Sequence, residues 1–369
     1  MAACAHVKPA KPPSRPEAVT DRRSNNPRSA PTLHDVAALA GVSTATVSRC
    51  LNSPDQVIEK TRETVMAAVR ELGYSPNFGA RVMAAKRTNT IGAIIPTMEN
   101  AIFARGLQAF QEELRKRGYT LLVASSSYRP DIEEEQIRTL VARGADGLLL
   151  IGHDRDPQIY RFLDAQQVPV LVAWTHDAGA TRPSIGFDNR ASMRTLVQSV
   201  IGMGHRQLAV ISAETASNDR ARARVHGVRD AMDEAGLSGL PLPIVETPYG
   251  IENGARAFET LMAAKIRPTA VLCGNDVLAV GAMRRARELG IDIPSEVSIT
   301  GFDDIELAQV AVPALATVHV PHRDMGRKAA RMLVGMVQGT GPAETVELAA
   351  DLRLRASLSP PGEAAVERR

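Results

Sequence analysis

The chain has 369 residues, 44% hydrophobic and 4% aromatic, and a formal net charge of +3 at pH 7. That length suits a small module joined to a larger one, and a charge so near neutrality excludes a basic blanket for nucleic acid, so any DNA affinity has to be local. Three scattered cysteines (Cys4, Cys50, Cys273) fit neither a disulfide framework nor a zinc site, no apolar run reaches the roughly 18 residues of a membrane span, and the N-terminus lacks the apolar segment of a secretory signal, which together point to a reducing cytoplasm.

Residues 1–31 are rich in Pro, Arg and Ser with almost no large apolar side chains, a composition that cannot offset the entropy of ordering and so reads as disordered. Six basic residues (Lys8, Lys11, Arg15, Arg22, Arg23, Arg28) against Glu17 and Asp21 suit a phosphate-attracting arm, or an unselected extension. Next comes TLHDVAALAGVSTATVSRCLN, Thr32–Asn52. Ala37 permits two helices to cross closely, Gly41 can take the positive φ of a tight turn, Val47 plugs the gap beneath, and Ser43 is placed to cap a second helix. A third helix follows in KTRETVMAAVRELGY, with Val65, Val69 and Leu72 on one face, and then YSPN.

That order of three helices closed by Pro76-Asn77 resembles the headpiece of the lactose-repressor (LacI) family, and the resemblance covers about 32–356. It implies a helix-turn-helix DNA-binding headpiece at 32–77, a hinge helix or linker at 78–88, an effector-binding and dimerisation domain at 89–356 and a tail at 357–369. Within the headpiece it implies DNA contacts from Thr32, Leu33, Ser43, Thr44, Ala45, Thr46, Ser48, Arg49 and Asn52, with Arg49, Lys60 and Arg62 suited to phosphates, which position without reading sequence. One departure is visible: the residue opening the third helix, usually a capping serine in the family, is Ile58 here, so the cap has to come from elsewhere or the helix start frays at a cost of about 1 kcal/mol.

Phe78–Thr88 is only 11 residues long and carries Gly79, so alone it is expected to be largely unfolded. The resemblance implies that two such segments fold together on a minor groove, with contacts from Asn77, Ala80, Met83, Ala84 and Lys86, and with Met83 as the apolar wedge where the family uses Leu.

From Ile91 onward apolar runs bounded by turn residues (91–96, 120–125, 147–152, 169–174, 207–212, 270–275, 297–304) alternate with helical patterns such as Phe103–Arg117 and Asp276–Leu289. Such alternation predicts parallel sheets covered on both faces. The fold class expected is therefore α/β, and the resemblance implies a three-helix headpiece and hinge helix, then a two-lobed periplasmic-binding-protein-like domain of parallel sheets. The same resemblance implies that the chain crosses between lobes near Phe187-Asp188, Thr317–Val320 and Ala350.

Ligands of such sheets sit off the carboxyl ends of the strands. The family places Phe103 in the cleft, although it could equally be the first core residue of a helix. Trp174, the sole tryptophan, ends a strand where it could stack on a sugar or base, or pack in the core. In NDRARARVHG the family's effector-reaching arginine fits Arg224 better than Arg220; Asn275 and Asp303 match its polar contacts. Asp276 is expected to cap the helix it opens, and Asp304 is a candidate cap for the short helix that follows. Arg224 and Asp303 could instead pair and brace the lobes.

Enzymatic readings fail on spacing. Gly202-x-Gly204 lacks a third glycine and precedes a strand, and His153 and the His319-x-x-His322 pair lack partners at metal spacing, so they are expected to be isolated surface histidines. A periplasmic solute-binding protein shares the expected fold, yet a DNA-reading headpiece and no signal peptide argue against it. The reading is a cytoplasmic transcription regulator, expected to be a repressor. Its expected partners are pseudo-palindromic operator DNA, a small-molecule effector (sugar, sugar acid or nucleoside-like) and a second copy of itself, with no membrane and no cofactor beyond the effector. The tail PGEAAVERR carries no leucine heptads, which favours a dimer over a tetramer.

Overall fold

A computed structural model describes residues 30–75, 87–99 and 101–362. The chain divides into two compact units, one ending at Ala84 and the other beginning at Ala85. The first contains α1 (Leu33–Ala40), α2 (Thr44–Asn52), a 3₁₀ turn (Pro54–Gln56) and α3 (Glu59–Leu72). Its small core is Val36, Ala37, Val47, Cys50, Val65 and Ala68, with Val69 and Leu72 packed partly against it. Gly41 sits at φ 66° between α1 and α2, a conformation in which a Cβ would be strained.

The second unit contains, in order, β1 (Thr90–Ile95), α4 (Ala104–Lys116), β2 (Thr120–Ser125), α5 (Pro130–Ala142), β3 (Gly147–Ile151), α6 (Pro157–Ala165), β4 (Val170–Ala173) and β5 (Ser184–Gly186). Then come α7 (Asn189–Gly202), β6 (Leu208–Ser212), α8 (Asp219–Glu234), β7 (Ile244–Glu246), α9 (Ile251–Met262), β8 (Ala270–Cys273), α10 (Asp276–Glu288) and β9 (Ser298–Thr300). It closes with α11 (Glu306–Val310), β10 (Thr317–His319), α12 (His322–Gln338), β11 (Thr345–Glu347) and β12 (Asp351–Arg353).

Two parallel sheets result, ordered β11-β5-β4-β3-β1-β2 and β7-β6-β8-β9. The two-residue period of a strand explains why both are covered twice. In β3, Leu148 and Leu150 face α5 and α6 (Ile137, Leu140, Ile159, Leu163), whereas Leu149 and Ile151 face α4 and α12 (Phe110, Leu114, Leu333). In β6, Leu208 and Val210 face α7 and α8 while Ala209 and Ile211 face α9 and α10. Each fully buried Leu or Ile in these layers contributes roughly 1.5–3 kcal/mol.

The sheets belong to separate lobes, and the chain passes between them three times: after β5 at Phe187-Asp188, after β10 at Val320-Pro321, and between β11 and β12. The last two passages pair as an antiparallel ladder, Thr317 with Arg353, Val318 with Leu352 and His319 with Asp351, which the apolar-run pattern does not reveal. Phe187 and Phe302 meet across this junction with ring centroids 5.8 Å apart.

Candidate functional site

Two surfaces carry the polar chemistry. In the headpiece, Thr32 caps α1 reciprocally: its hydroxyl accepts from the Asp35 N–H at 3.3 Å while its own N–H donates to the Asp35 carboxylate at 2.8 Å. Ser43 caps α2, accepting from the Thr46 N–H at 3.2 Å. With Val47 and Cys50 turned into the core, α2 presents Thr44, Ala45, Arg49 and Asn52 to solvent; Ala45, Arg49 and Asn52 stand one turn apart. Thr46 and Ser48 are half-buried, and Ser48 accepts from Asn52 Nδ2 at 3.2 Å. Leu33 packs partly against the headpiece core. At the start of α3, Ile58 is 79% exposed, has extended ψ and makes no side-chain cap bond. Lys60 is exposed, and Arg62 lies 3.6 Å from Glu59. Asn77, Ala80, Met83, Ala84, Lys86 and the 1–29 part of the basic extension lie outside the described residues.

The second surface lies between the lobes at the carboxyl ends of their strands. Phe103 and Trp174 are both buried and meet edge to face at 5.3 Å. Trp174, just past β4, holds φ at 62°, and its carbonyl accepts from Asn189 Nδ2 at 3.2 Å. Gly106 makes this possible, because a Cβ there would stand 2.6 Å from the indole Cζ2. Arg224, on α8, donates from Nε to Asn189 Oδ1 at 2.9 Å and from Nη1 to the Gly274 carbonyl, and its guanidinium lies 4.0 Å over the Phe302 ring. Asp303, just past β9, holds φ at 107° and is 1% exposed. Non-glycine residues at positive φ cost about 1–3 kcal/mol each and gather at functional sites. Tyr128, past β2 at φ 59°, adds a third.

Several buried polar atoms in this cleft have no hydrogen-bond partner: both carboxylate oxygens of Asp303, Trp174 Nε1, Asn275 Nδ2, His153 Nε2 and His322 Nδ1. Burial pushes the Asp303 carboxyl up to about 6, even though Arg224 and Arg220 pull it the other way. Asp219 resists burial and stays below the usual carboxylate range, held by Arg220 (2.9 Å) and by the His153 N–H, which donates to it at 2.5 Å. Arg155, buried behind β3, fixes that loop by donating to the Gly152 and Ile151 carbonyls at 2.5 and 2.9 Å while paired with Glu133 at 2.8 Å.

The lobes touch across the cleft. The rings of Tyr128 and Tyr249 approach to 5.7 Å, Arg222 pairs with Asp154 at 2.7 Å, and Arg105 pairs with Glu306 at 2.8 Å. Sequence reasoning missed Tyr128 and Tyr249, which sit three residues beyond the ends of β2 and β7.

Three expectations are corrected. Asn275, not Asp276, caps α10: its Oδ1 accepts from the Leu278 N–H at 2.9 Å, because Asn275 is extended (φ −158°) while Asp276 is already helical. The Asp276 carboxylate instead accepts from the Ile305 N–H (2.8 Å) and the Thr317 hydroxyl (2.6 Å), bracing the junction. Asp304 caps nothing; it pairs with Arg355 at 2.7 Å and His319 at 2.9 Å, while Ile305 precedes α11 without a side-chain cap. The histidines are not isolated surface groups, since His322 is 3% exposed, His153 half-buried and His319 bonded to Asp304. Among the described residues, no ion pair joins Arg224 to Asp303, and no group of three His, Cys, Asp or Glu could hold a metal ion.

Residues 32–77 match the lacI family of bacterial regulatory proteins, and residues 197–358 match a periplasmic binding protein-like domain. The chain is 34% identical over 321 residues to the HTH-type transcriptional repressor PurR of Proteus mirabilis (strain HI4320), covering 86% of this chain and 94% of PurR. It is 31% identical over 302 residues to catabolite control protein A of Priestia megaterium, covering 82% and 91% of the two chains. Among solved structures, the Lac repressor dimer bound to operator and the anti-inducer ONPF superposes with a TM-score of 0.80 at 28% identity, covering 90% of this chain and 100% of that one. With a capped helix-turn-helix followed by two parallel-sheet lobes, and with relatives matched over nearly their full length, the chain belongs to the lacI family of bacterial regulatory proteins, the DNA-binding transcriptional regulators.

Proposed function

We propose that this regulator is a cytoplasmic homodimeric repressor, without catalytic activity, whose grip on a pseudo-palindromic operator is controlled by a small molecule held between the two lobes. The observation that carries the reading is the Asp303 carboxylate, buried to 1% exposure with neither oxygen bonded, in a cleft shared with Arg224, Asn275 and Trp174. A buried charge without partners is costly, and a ligand with hydroxyl or N–H donors supplies what is missing. Phe103 and Trp174 then offer apolar faces to a sugar, sugar acid or nucleoside-like effector.

DNA recognition is assigned to Thr44, Ala45, Ser48, Arg49 and Asn52 of α2, with Thr32, Leu33, Ser43, Thr46, Lys60 and Arg62 around it. Asn77, Ala80, Ala84 and Lys86 would add hinge contacts, and Met83 the wedge. A helix of nine residues reads too few bases alone, which supports a dimer on two half-sites. Cytoplasmic placement is supported by the DNA partner, and among the described residues no helix is long and apolar enough to cross a membrane. The effector selects one angle between the lobes through the three crossing segments, and that angle sets whether two headpieces engage DNA together. Coupling between the two ligands is reciprocal and typically about 1–3 kcal/mol.

The test is fluorescence anisotropy on operator DNA, with a thermal-shift screen of sugars, sugar acids and nucleosides to find the effector. Arg224→Ala is expected to fold and bind operator as the wild type does, yet lose effector response. An Arg224→Ala protein that responds normally overturns the assignment; one that also melts lower and loses DNA binding makes Arg224 a brace.

A further inference from the structure

We infer that His322 is a specificity-determining residue of the cleft, its Nδ1 accepting a hydrogen bond from a donor on the effector, so that the site selects a neutral polyhydroxylated molecule over a carboxylate. The inference rests on the reading of the cleft as the effector site. His322 opens α12 immediately beyond the second crossing segment, is 3% exposed, and lies 6.3 Å, centroid to centroid, from Trp174. Its Nε2 stands 3.2 Å from the backbone carbonyl of Asp303. A carbonyl oxygen only accepts, so Nε2 carries the hydrogen. A neutral imidazole has one N–H, which leaves Nδ1 as a lone-pair acceptor, and Nδ1 is buried without a partner. Burial, the largest influence on this ring, lowers its pKa to about 4, so the neutral form holds at physiological pH.

A histidine serving only the fold looks different in the same molecule. His205 is equally buried, and both its nitrogens are engaged, Nδ1 with the Thr269 hydroxyl at 2.9 Å and Nε2 with the Ser359 carbonyl at 2.7 Å. His322 is half-satisfied by comparison, and a buried polar atom left so calls for a ligand.

The unpartnered atoms also define what that ligand is. Both kinds are present: two oxygens on Asp303 and Nδ1 of His322 accept, Trp174 Nε1 and Asn275 Nδ2 donate, and His153 Nε2 takes the role its tautomer sets. A carboxylate has acceptors only, so it satisfies neither Asp303 nor His322, and it would stand beside a like charge. Hydroxyl groups donate to Asp303 and His322 and accept from Asn275 and Trp174 together. Charge agrees, because the guanidinium groups of Arg220 and Arg224 are matched by the carboxylates of Asp219 and Asp303, with Arg220 already held by Asp219 at 2.9 Å.

The experiment is calorimetric titration of the full-length wild type, His322→Phe and His322→Asn with neutral hexoses, pentoses and nucleosides, their deoxy analogues, and the matching aldonates. A neutral compound is expected to bind the wild type at least about tenfold tighter than its aldonate, the scale of one unmet hydrogen bond to a buried group. His322→Phe, which keeps the ring and removes the acceptor, is expected to lose at least about tenfold in affinity while binding operator as before. His322→Asn, whose amide oxygen can stand where Nδ1 stood, should recover most of that loss. One deoxy analogue should bind wild type and His322→Phe alike. Equal affinity of wild type and His322→Phe for the parent compound overturns the role of His322 and leaves the cleft reading intact. An aldonate that binds as tightly as the neutral compound overturns the selectivity. Binding of the parent compound that survives loss of both Asp303 and Arg224 shows instead that the cleft is not the effector site.

Discussion

Asp303→Asn is expected to make the ligand-free regulator more stable while ending its response to effector. In the folded chain burial lifts the Asp303 carboxyl to about 6, whereas an unfolded chain titrates an aspartate near ~3.9. The native state therefore binds this proton more tightly. Stability falls as pH rises from about 4 to about 6, and the whole deficit is present above that window. A gap of about two pH units, at ~1.36 kcal/mol each, amounts to on the order of 3 kcal/mol at neutral pH. An asparagine has the same shape and no charge, so it removes that deficit, less about 1 kcal/mol for amide groups that find no partner of their own. The net expectation is a gain of ~2 kcal/mol at pH 7.5 that vanishes near pH ~5 and becomes a small loss by pH ~4. Trp174 is the sole tryptophan and lies in the cleft, so urea unfolding followed by its fluorescence reports this unit alone. A variant no more stable than wild type at pH 7.5, or a gain that is the same at both pH values, would refute the reasoning.

The headpiece offers three further tests. Arg49→Ala should weaken operator and random DNA together and reduce the slope of log affinity against log salt by about one, as expected for one phosphate contact; an unchanged slope removes Arg49 from the phosphate set. Ile58→Ser supplies the cap that α3 lacks and should raise headpiece stability by about 1 kcal/mol in denaturation followed by circular dichroism, whereas no gain means another group already serves those N–H donors. Met83→Gly should lower operator affinity far more than affinity for random DNA in filter binding, and equal losses would end its role as a wedge.

The features legible in sequence are those with a strong local period. Strands of four to six buried residues such as β1, β3 and β8 stand out as continuous apolar runs, and the headpiece is written in small residues, a turn glycine and caps. The strands that escaped are three residues long: β5, β7, β10, β11 and β12 owe their place to partners distant in sequence. Missing β7 also hid Tyr249, which lies just past its end. Tyr128 escaped because a tyrosine in a Ser-rich loop carries no local mark; only the carboxyl-end rule applied to β2 would have found it. His322 carries no local mark beyond its spacing from His319, because its meaning comes from the crossing segment before it. The cap of α10 falls to Asn275 and not to Asp276 because the helix start depends on one backbone angle, not on which side chain is the better cap.

The contacts that tie one lobe to the other, Tyr128 with Tyr249, Arg222 with Asp154 and Arg105 with Glu306, have a kinetic consequence. On the proposal that the effector binds at Asp303, which is 1% exposed, a molecule would reach it only after these bridges part, and entry would be timed by the opening and not by diffusion. The observed association rate should then level off as concentration rises. Added salt, which screens two partly exposed ion pairs, should raise that ceiling. Departure would be subject to the same gate, so a bound signal is expected to outlast a brief fall in its supply, with the switch responding to sustained change and not to momentary fluctuation.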